Sequence, residues 1–281
     1  MRVMFRLMYY EGIKTFLKKR TYLGFLIVLA IVPLIEIAMK VEGGRVVTGT
    51  LRSLQQDFFF VGNLFNGWFV SYQIMNSLWV HIPLLITFVA GDQLAGEATA
   101  GTYRLLLIRP ASRTRIFFSK YLTTILYTLL FVGFLAVLSI GLAVSLMGTG
   151  DLLVFDKGIL ILPASDVAWR FLAAYILAAW SMTTIASIAF FFSSFVENAI
   201  GPIIATMGVL IVFLIVSVMP LELFQSIRQY LFTMYINTWQ KVFADPVSWT
   251  EIWKGVAWLG AYSSAMVTGA WLIFVRKDIL S

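Results

Sequence analysis

The chain has 281 residues, of which 60% are hydrophobic and only 12% charged, with a formal net charge of +7. A soluble domain averages about 45–50% apolar and about 25% charged residues, and has nowhere to hide such an apolar excess. Disorder is excluded by the same excess. The lack of cysteine removes disulfides and thiolate sites, and one histidine, His81, is too few for a zinc site or a histidine relay.

The composition is that of an integral membrane protein. Residues 1–20 read as an interfacial helix, with Phe5, Tyr9, Ile13 and Phe16 on one side and Glu11, Lys14 and Lys18 opposite. Such a helix lies along the membrane surface with its lysines near anionic headgroups; the alternative is a basic tail that only sets topology. Six apolar segments follow, each near the roughly 20 residues that a spanning helix needs: Thr21–Met39, Phe69–Ala90, Tyr121–Met147, Val167–Phe192, Ile200–Met219 and Trp253–Val275. The first is too long for a cleaved signal and lacks a small-residue cleavage site before Lys40. The expected fold is therefore an all-α membrane protein: one domain over residues 1–281, with a six-span bundle over 21–275 and a short tail over 276–281.

Charge orients the bundle. The amino terminus, the connection between spans two and three, and the tail hold 13 of the 21 Lys and Arg, and with the connection between spans four and five, which adds Glu197, that side has only 5 of the 14 acids. The positive-inside rule then places both termini in the cytoplasm of a multi-pass cell (inner) membrane protein. On the other side, Lys40–Asp57 and Gly148–Asp166 are rich in Gly and Asp and read as loops. Between spans five and six, Glu222, Ser226, Gln229, Thr233, Asn237 and Gln240 recur at helical spacing, with Phe224, Ile227, Leu231, Tyr235, Trp239 and Val242 on the other face. This predicts an extracytoplasmic helical element, flat on the surface or dipping in.

Polar residues inside the spans are few. Glu36 with Lys40 at i+4 reads as a snorkelling pair rather than a proton relay, and Arg170 as a headgroup contact. In the second span Gln73, Asn76, Ser77, His81 and Thr87 form one polar stripe, which serves either a translocation path or interhelical hydrogen bonding. Gly260, Ser264, Ala265 and Gly269 in the sixth allow close helix packing.

No phosphate loop, zinc-protease helix or nucleophile elbow is present, so the chain is expected to be no enzyme, with no catalytic residue, metal site or cofactor of its own. The most informative stretch joins spans two and three. A polar start containing Glu97 is followed by Gly101, Thr102 and Arg104, an apolar run Leu105–Ile108, Pro110, and a basic re-entry through Ser112, Arg113, Arg115 and Lys120. Thr102 could cap a short helix that Pro110 ends, and an amphipathic helix held between two spans suits docking to a soluble partner.

Here the sequence resembles the permease subunit of type-2 ATP-binding-cassette (ABC) exporters. That family carries a Glu, Gly-Thr, a Leu-rich run, a Pro, Ser-Arg and a Lys in this connection, matched by Glu97, Gly101, Thr102, Leu105–Leu107, Pro110, Ser112, Arg113 and Lys120. The resemblance implies a permease that dimerises with a second copy or homologue and pairs with cytoplasmic ATPase subunits, which would hold the ATP and Mg. Glu97, Gly101, Thr102, Arg104, Pro110, Arg113 and Arg115 would couple it to the ATPase, while Gln73, Asn76, Ser77 and His81 are candidates for the path of an amphipathic or hydrophobic cargo. Membrane lipids, and no nucleic acid, complete the expected partners. The competing readings are a self-contained secondary transporter or channel, a membrane-embedded enzyme, and a non-transporting anchor for an ATPase.

Overall fold

The computed structural model of the protein describes residues 2–43, 64–102, 111–155 and 158–277. Helix α1 (Arg2–Leu17) turns at Lys18, whose backbone is extended, into α2 (Lys19–Ala38), which ends in a π turn, Met39–Gly43. Then come α3 (Gly67–Leu78), α4 (Ile82–Ala90), α5 (Asp92–Thr99) and the long α6 (Arg113–Met147). A hairpin of β1 (Leu152–Phe155) and β2 (Ile159–Leu162) leads to α7 (Ala164–Phe195), α8 (Gly201–Val218), α9 (Glu222–Arg228), two 3₁₀ turns (Phe232–Met234 and Thr238–Phe243) and α10 (Trp249–Arg276).

The fold is predominantly helical. Among the described residues five helices, α2, α6, α7, α8 and α10, are long and apolar enough to cross a membrane, and α3 and α4 together pass the same test as a pair bent by 56°. The expected second span is thus broken at Trp79–His81. Pro83 explains the break: it has no N–H to donate and its ring collides with the carbonyl four residues back, so the helix restarts with Pro83 in its first turn.

Helix α7 is the centre of the bundle. Of its apolar stretch 67% is buried, against 17–28% for the other four long helices, whose remaining surface suits lipid. Against α10 it is held by Ser263 Oγ donating to Thr184 Oγ1 (3.0 Å) and Trp180 Nε1 donating to the Val256 carbonyl (3.1 Å). Hydrogen bonds between helices in an apolar medium contribute about 0.6–2 kcal/mol each. Of the small residues in α10, Gly260 lies under Trp180 and Gly269 under Phe191, whereas Ser264 and Ala265 are exposed. Gly67 makes a closer approach: a Cβ there would lie 2.6 Å from the Val144 backbone of α6.

Several expectations are corrected. Residues 148–166 are not simply a loop, since β1 and β2 pair antiparallel, Leu152 opposite Leu162. The element between α8 and α10 is not one continuous helix but short helical pieces: α9 has no buried residue, whereas the 3₁₀ turns dip in, with Trp239 fully buried against Trp79 and Phe243. Arg170 does not reach outward: its buried guanidinium binds Asp166 and the Val242 and Ala244 carbonyls, each at 2.7 Å, and so anchors that element to α7. Glu36 is buried rather than snorkelling, and neither carboxylate oxygen has a partner among the described residues.

Candidate functional site: a buried ionic clasp

Helix α5 follows α4 directly and is secured at both ends. Its first backbone N–H groups have no partner within the helix. Ser193 of α7 supplies one: its Oγ accepts from Leu94 N (3.1 Å) and Ala95 N (2.9 Å) and donates to the Gly91 carbonyl (2.6 Å). At the far end Gly101 adopts φ +64°, in the left-handed region that favours glycine. Thr102 N then bonds the Glu97 carbonyl and Gly101 N the Ala98 carbonyl, both at 3.0 Å, a Schellman closure. The motif's Gly-Thr therefore terminates one helix, whatever follows it.

This geometry turns Glu97 inward, where it is 3% exposed. Its Oε1 accepts from Lys120 Nζ of α6 (2.7 Å) and Lys14 Nζ of α1 (2.5 Å), and its Oε2 from Thr102 Oγ1 (2.5 Å). Lys120, whose side chain is 1% exposed, also donates to Glu11 Oε2 (2.6 Å). Beside this group, Asp92 Oδ2 pairs with Lys18 (2.7 Å) and Arg20 (2.5 Å), and Gln93 Nε2 donates to Thr15 Oγ1 (3.2 Å). Burial pushes the Glu97 carboxyl up. The Lys120 charge and the hydrogen bonds from Lys120, Lys14 and Thr102 outweigh that and bring it down from 4.5 to about 2.

The charged face of α1 is thus turned toward protein, and Phe5, Tyr9 and Ile13 are exposed. Lys14 and Lys18, expected near headgroups, instead clasp acids of α5. The physical reason is that buried Glu97, Glu11 and Asp92 each need a cation close by, and an apolar medium favours the other face of the helix. Glu97, held in this way, is a poor base. Chemically the cluster is a fastener that joins α1, α5 and the foot of α6.

The predicted coupling residues divide. Glu97, Thr102 and Gly101 belong to the clasp or its support, but Glu97 is too buried to be a contact surface. Arg113 Nη1 donates to the Val275 and Lys277 carbonyls (2.9 and 3.0 Å), closing the end of α10, while Arg115 is exposed. Arg104, Pro110 and the Leu-rich run lie outside the described residues. Sequence reasoning missed Glu11, Asp92 and Ser193 as site residues. The acids in the basic segments were a usable signal, whereas nothing local marks Ser193.

The candidate path also divides. Gln73 and Asn76 line a cavity of about 560 Å³ among α3, the hairpin, the 3₁₀ turns and the start of α10. Ser77 and His81 do not line it; both are exposed, and His81 Nδ1 lies 3.1 Å from the Ser77 carbonyl. The clasp and the cavity sit toward opposite ends of α6, whose stretch from Lys120 to Met147 is about 40 Å long at 1.5 Å per residue.

The family model described as "Protein of unknown function (DUF2705)" matches residues 54–280. The chain belongs to this family. A relative, the "Uncharacterized protein YhcI" of Bacillus subtilis (strain 168), is 30% identical over 122 residues, a stretch that is 41% of this chain and 38% of the relative. This DUF2705 member therefore matches less than half the length of that relative. Within the family match lie Asp92, Glu97, Lys120 and Ser193; Glu11, Lys14, Lys18 and Arg20 precede it.

Proposed function

We propose that this protein is the permease subunit of an ABC-type exporter, moving cargo out of the cytoplasm by alternating access driven by separate ATPase subunits that carry the ATP and Mg. The observation that supports this reading best is the clasp in which buried Glu11, Glu97 and Lys120 are joined by the part-exposed Lys14. It gathers the amphipathic helix, the helix after the second span and the foot of the third into one unit, next to the connection whose residue order resembles that family's coupling segment. An element that transmits work must hold its parts rigidly and differ in energy between two states. In this reading α3 and α4 form one broken span, which makes six, both termini are cytoplasmic, and a second copy or homologue completes the transporter.

Co-expression with candidate ATPase subunits tests the proposal. A stable complex that moves cargo into proteoliposomes only with hydrolysable ATP is the expected result. Transport by the isolated permease with no ATPase would overturn it. One observation favours a second reading, a self-contained secondary transporter: Glu36 is buried at span depth with both oxygens unpartnered among the described residues. In that case an imposed proton or cation gradient would drive cargo uptake by the permease alone, and Glu36→Gln would abolish it.

A further inference from the structure

Four acidic side chains are buried among the described residues: Glu11, Asp92 and Glu97 around the clasp, and Glu36 in the last turn of α2, at the end of that helix away from the clasp. Each of the first three lies within 2.7 Å of a lysine nitrogen. Glu36 breaks this pattern. It is 0% exposed, and neither carboxylate oxygen has a hydrogen-bond partner among the described residues. Lys40, its expected partner, is exposed on the π turn together with Glu42, and neither bonds to it.

The helices around it supply no counter-charge. Helix α2 packs against α1, α3, α4 and α6. Helices α3 and α4 carry no charged residue, and α1 joins α2 at Lys19, about 25 Å along α2 from Glu36. The α6 cation furthest along that helix is Lys120, about 28 Å along it from Ser139 and held in the clasp. The titratable neighbour on which the Glu36 charge acts is Tyr175 of α7. Its hydroxyl is spent on Ser139 Oγ at 2.7 Å, and the Ser139 carbonyl accepts from Ser71 Oγ at 3.0 Å. Arg170, earlier in α7, is bound to Asp166 and to the Val242 and Ala244 carbonyls. These polar groups satisfy one another and leave the carboxylate alone.

A buried charge needs an opposite charge close by. One carboxylate among neutral groups calls for a single positive charge, whereas a divalent ion such as calcium takes six to eight oxygen ligands, commonly with several carboxylates. Both Glu36 oxygens are shut off from solvent, so the cation has to be small. We propose that Glu36 binds one exchangeable monovalent cation, H⁺ or Na⁺, whose shared chemistry is to neutralise this lone carboxylate. The site goes beyond both transport readings above, since an ATP-driven permease and a gradient-driven one can each carry it.

The test labels the full chain in phosphatidylglycerol nanodiscs with dicyclohexylcarbodiimide, which adds to carboxyls that carry a proton, and locates the adduct by peptide mass spectrometry. Cargo and ATP take no part, so the failure of a transport reading leaves the outcome untouched. Labelling of Glu36 that rises several-fold on acidification and is the same in Na⁺ and choline identifies the proton. Labelling suppressed several-fold by Na⁺ but not by choline identifies sodium, and both results support the site. Labelling indifferent to pH and to Na⁺ overturns it. If the reagent does not reach Glu36, infrared difference spectra against Glu36→Gln decide, or against Glu36→Asp should the first variant fail to insert. A neutral-carboxyl band lost in alkali, or a carboxylate band shifted by Na⁺, supports the site; a Glu36 band indifferent to both rejects it.

Discussion

Lys120 and Glu97 meet at 2.7 Å with their side chains 1% and 3% exposed, one at the foot of α6 and the other in the last turn of α5. Glu11 reaches the same ammonium group from α1 at 2.6 Å. Lys120 therefore holds two acids, whereas Glu97 keeps Lys14 if Lys120 is lost.

The consequence is an asymmetry between substitutions. Removing one partner of a buried ion pair strands a charge and destabilises by about 3–5 kcal/mol. Lys120→Met strands Glu11 and leaves Glu97 with only the part-exposed Lys14, so its loss should fall at the upper end. Glu97→Gln leaves Lys120 paired with Glu11 and should cost clearly less. Thermal unfolding of the purified variants in detergent checks the order; equal losses would refute the two-acid arrangement.

Acid should loosen the clasp in a defined window. The Glu97 carboxyl lies at about 2 in the folded protein, below its ordinary 4.5. The unfolded chain therefore binds this proton first as pH falls. The stability that Glu97 contributes is complete above 4.5, declines below it and is gone near 2. Unfolding midpoints of the native protein and Glu97→Gln should converge across that interval, and a constant difference between them would contradict the linkage.

Ser193 should matter more than its size suggests. Ser193→Ala removes the acceptor for Leu94 N and Ala95 N and the donor to the Gly91 carbonyl at once. Leaving buried backbone groups unpaired costs about 1–3 kcal/mol each when nothing replaces the bond. Amide exchange at Leu94 and Ala95 should accelerate at least tenfold, with helix α10 unaffected.

Two glycines should respond with opposite sign. Gly67→Ala drives a methyl group against the Val144 backbone of α6 and should destabilise by about 1–3 kcal/mol. Gly133→Ala, in the exposed middle of α6 with nothing within 4 Å of the new methyl, should stabilise by about 0.5–1 kcal/mol. Matched unfolding curves decide both.

The sequence by itself determined that this is a helical membrane protein, roughly where its long helices run, and which connection carries the patterned residues. Those properties are sums over neighbouring residues, so hydropathy and charge report them directly. Even the break before Pro83 was legible in principle, because a proline acts within one turn of its own helix. The direction in which α1 turns its charged face was decided by tertiary structure: Lys14 meets Glu97 and Lys120 meets Glu11 across separations of 83 and 109 residues. Ser193 likewise acts on Leu94 from 99 residues away. A helical wheel shows that a face is charged. Only the positions of the opposing charges decide whether headgroups or buried acids receive it.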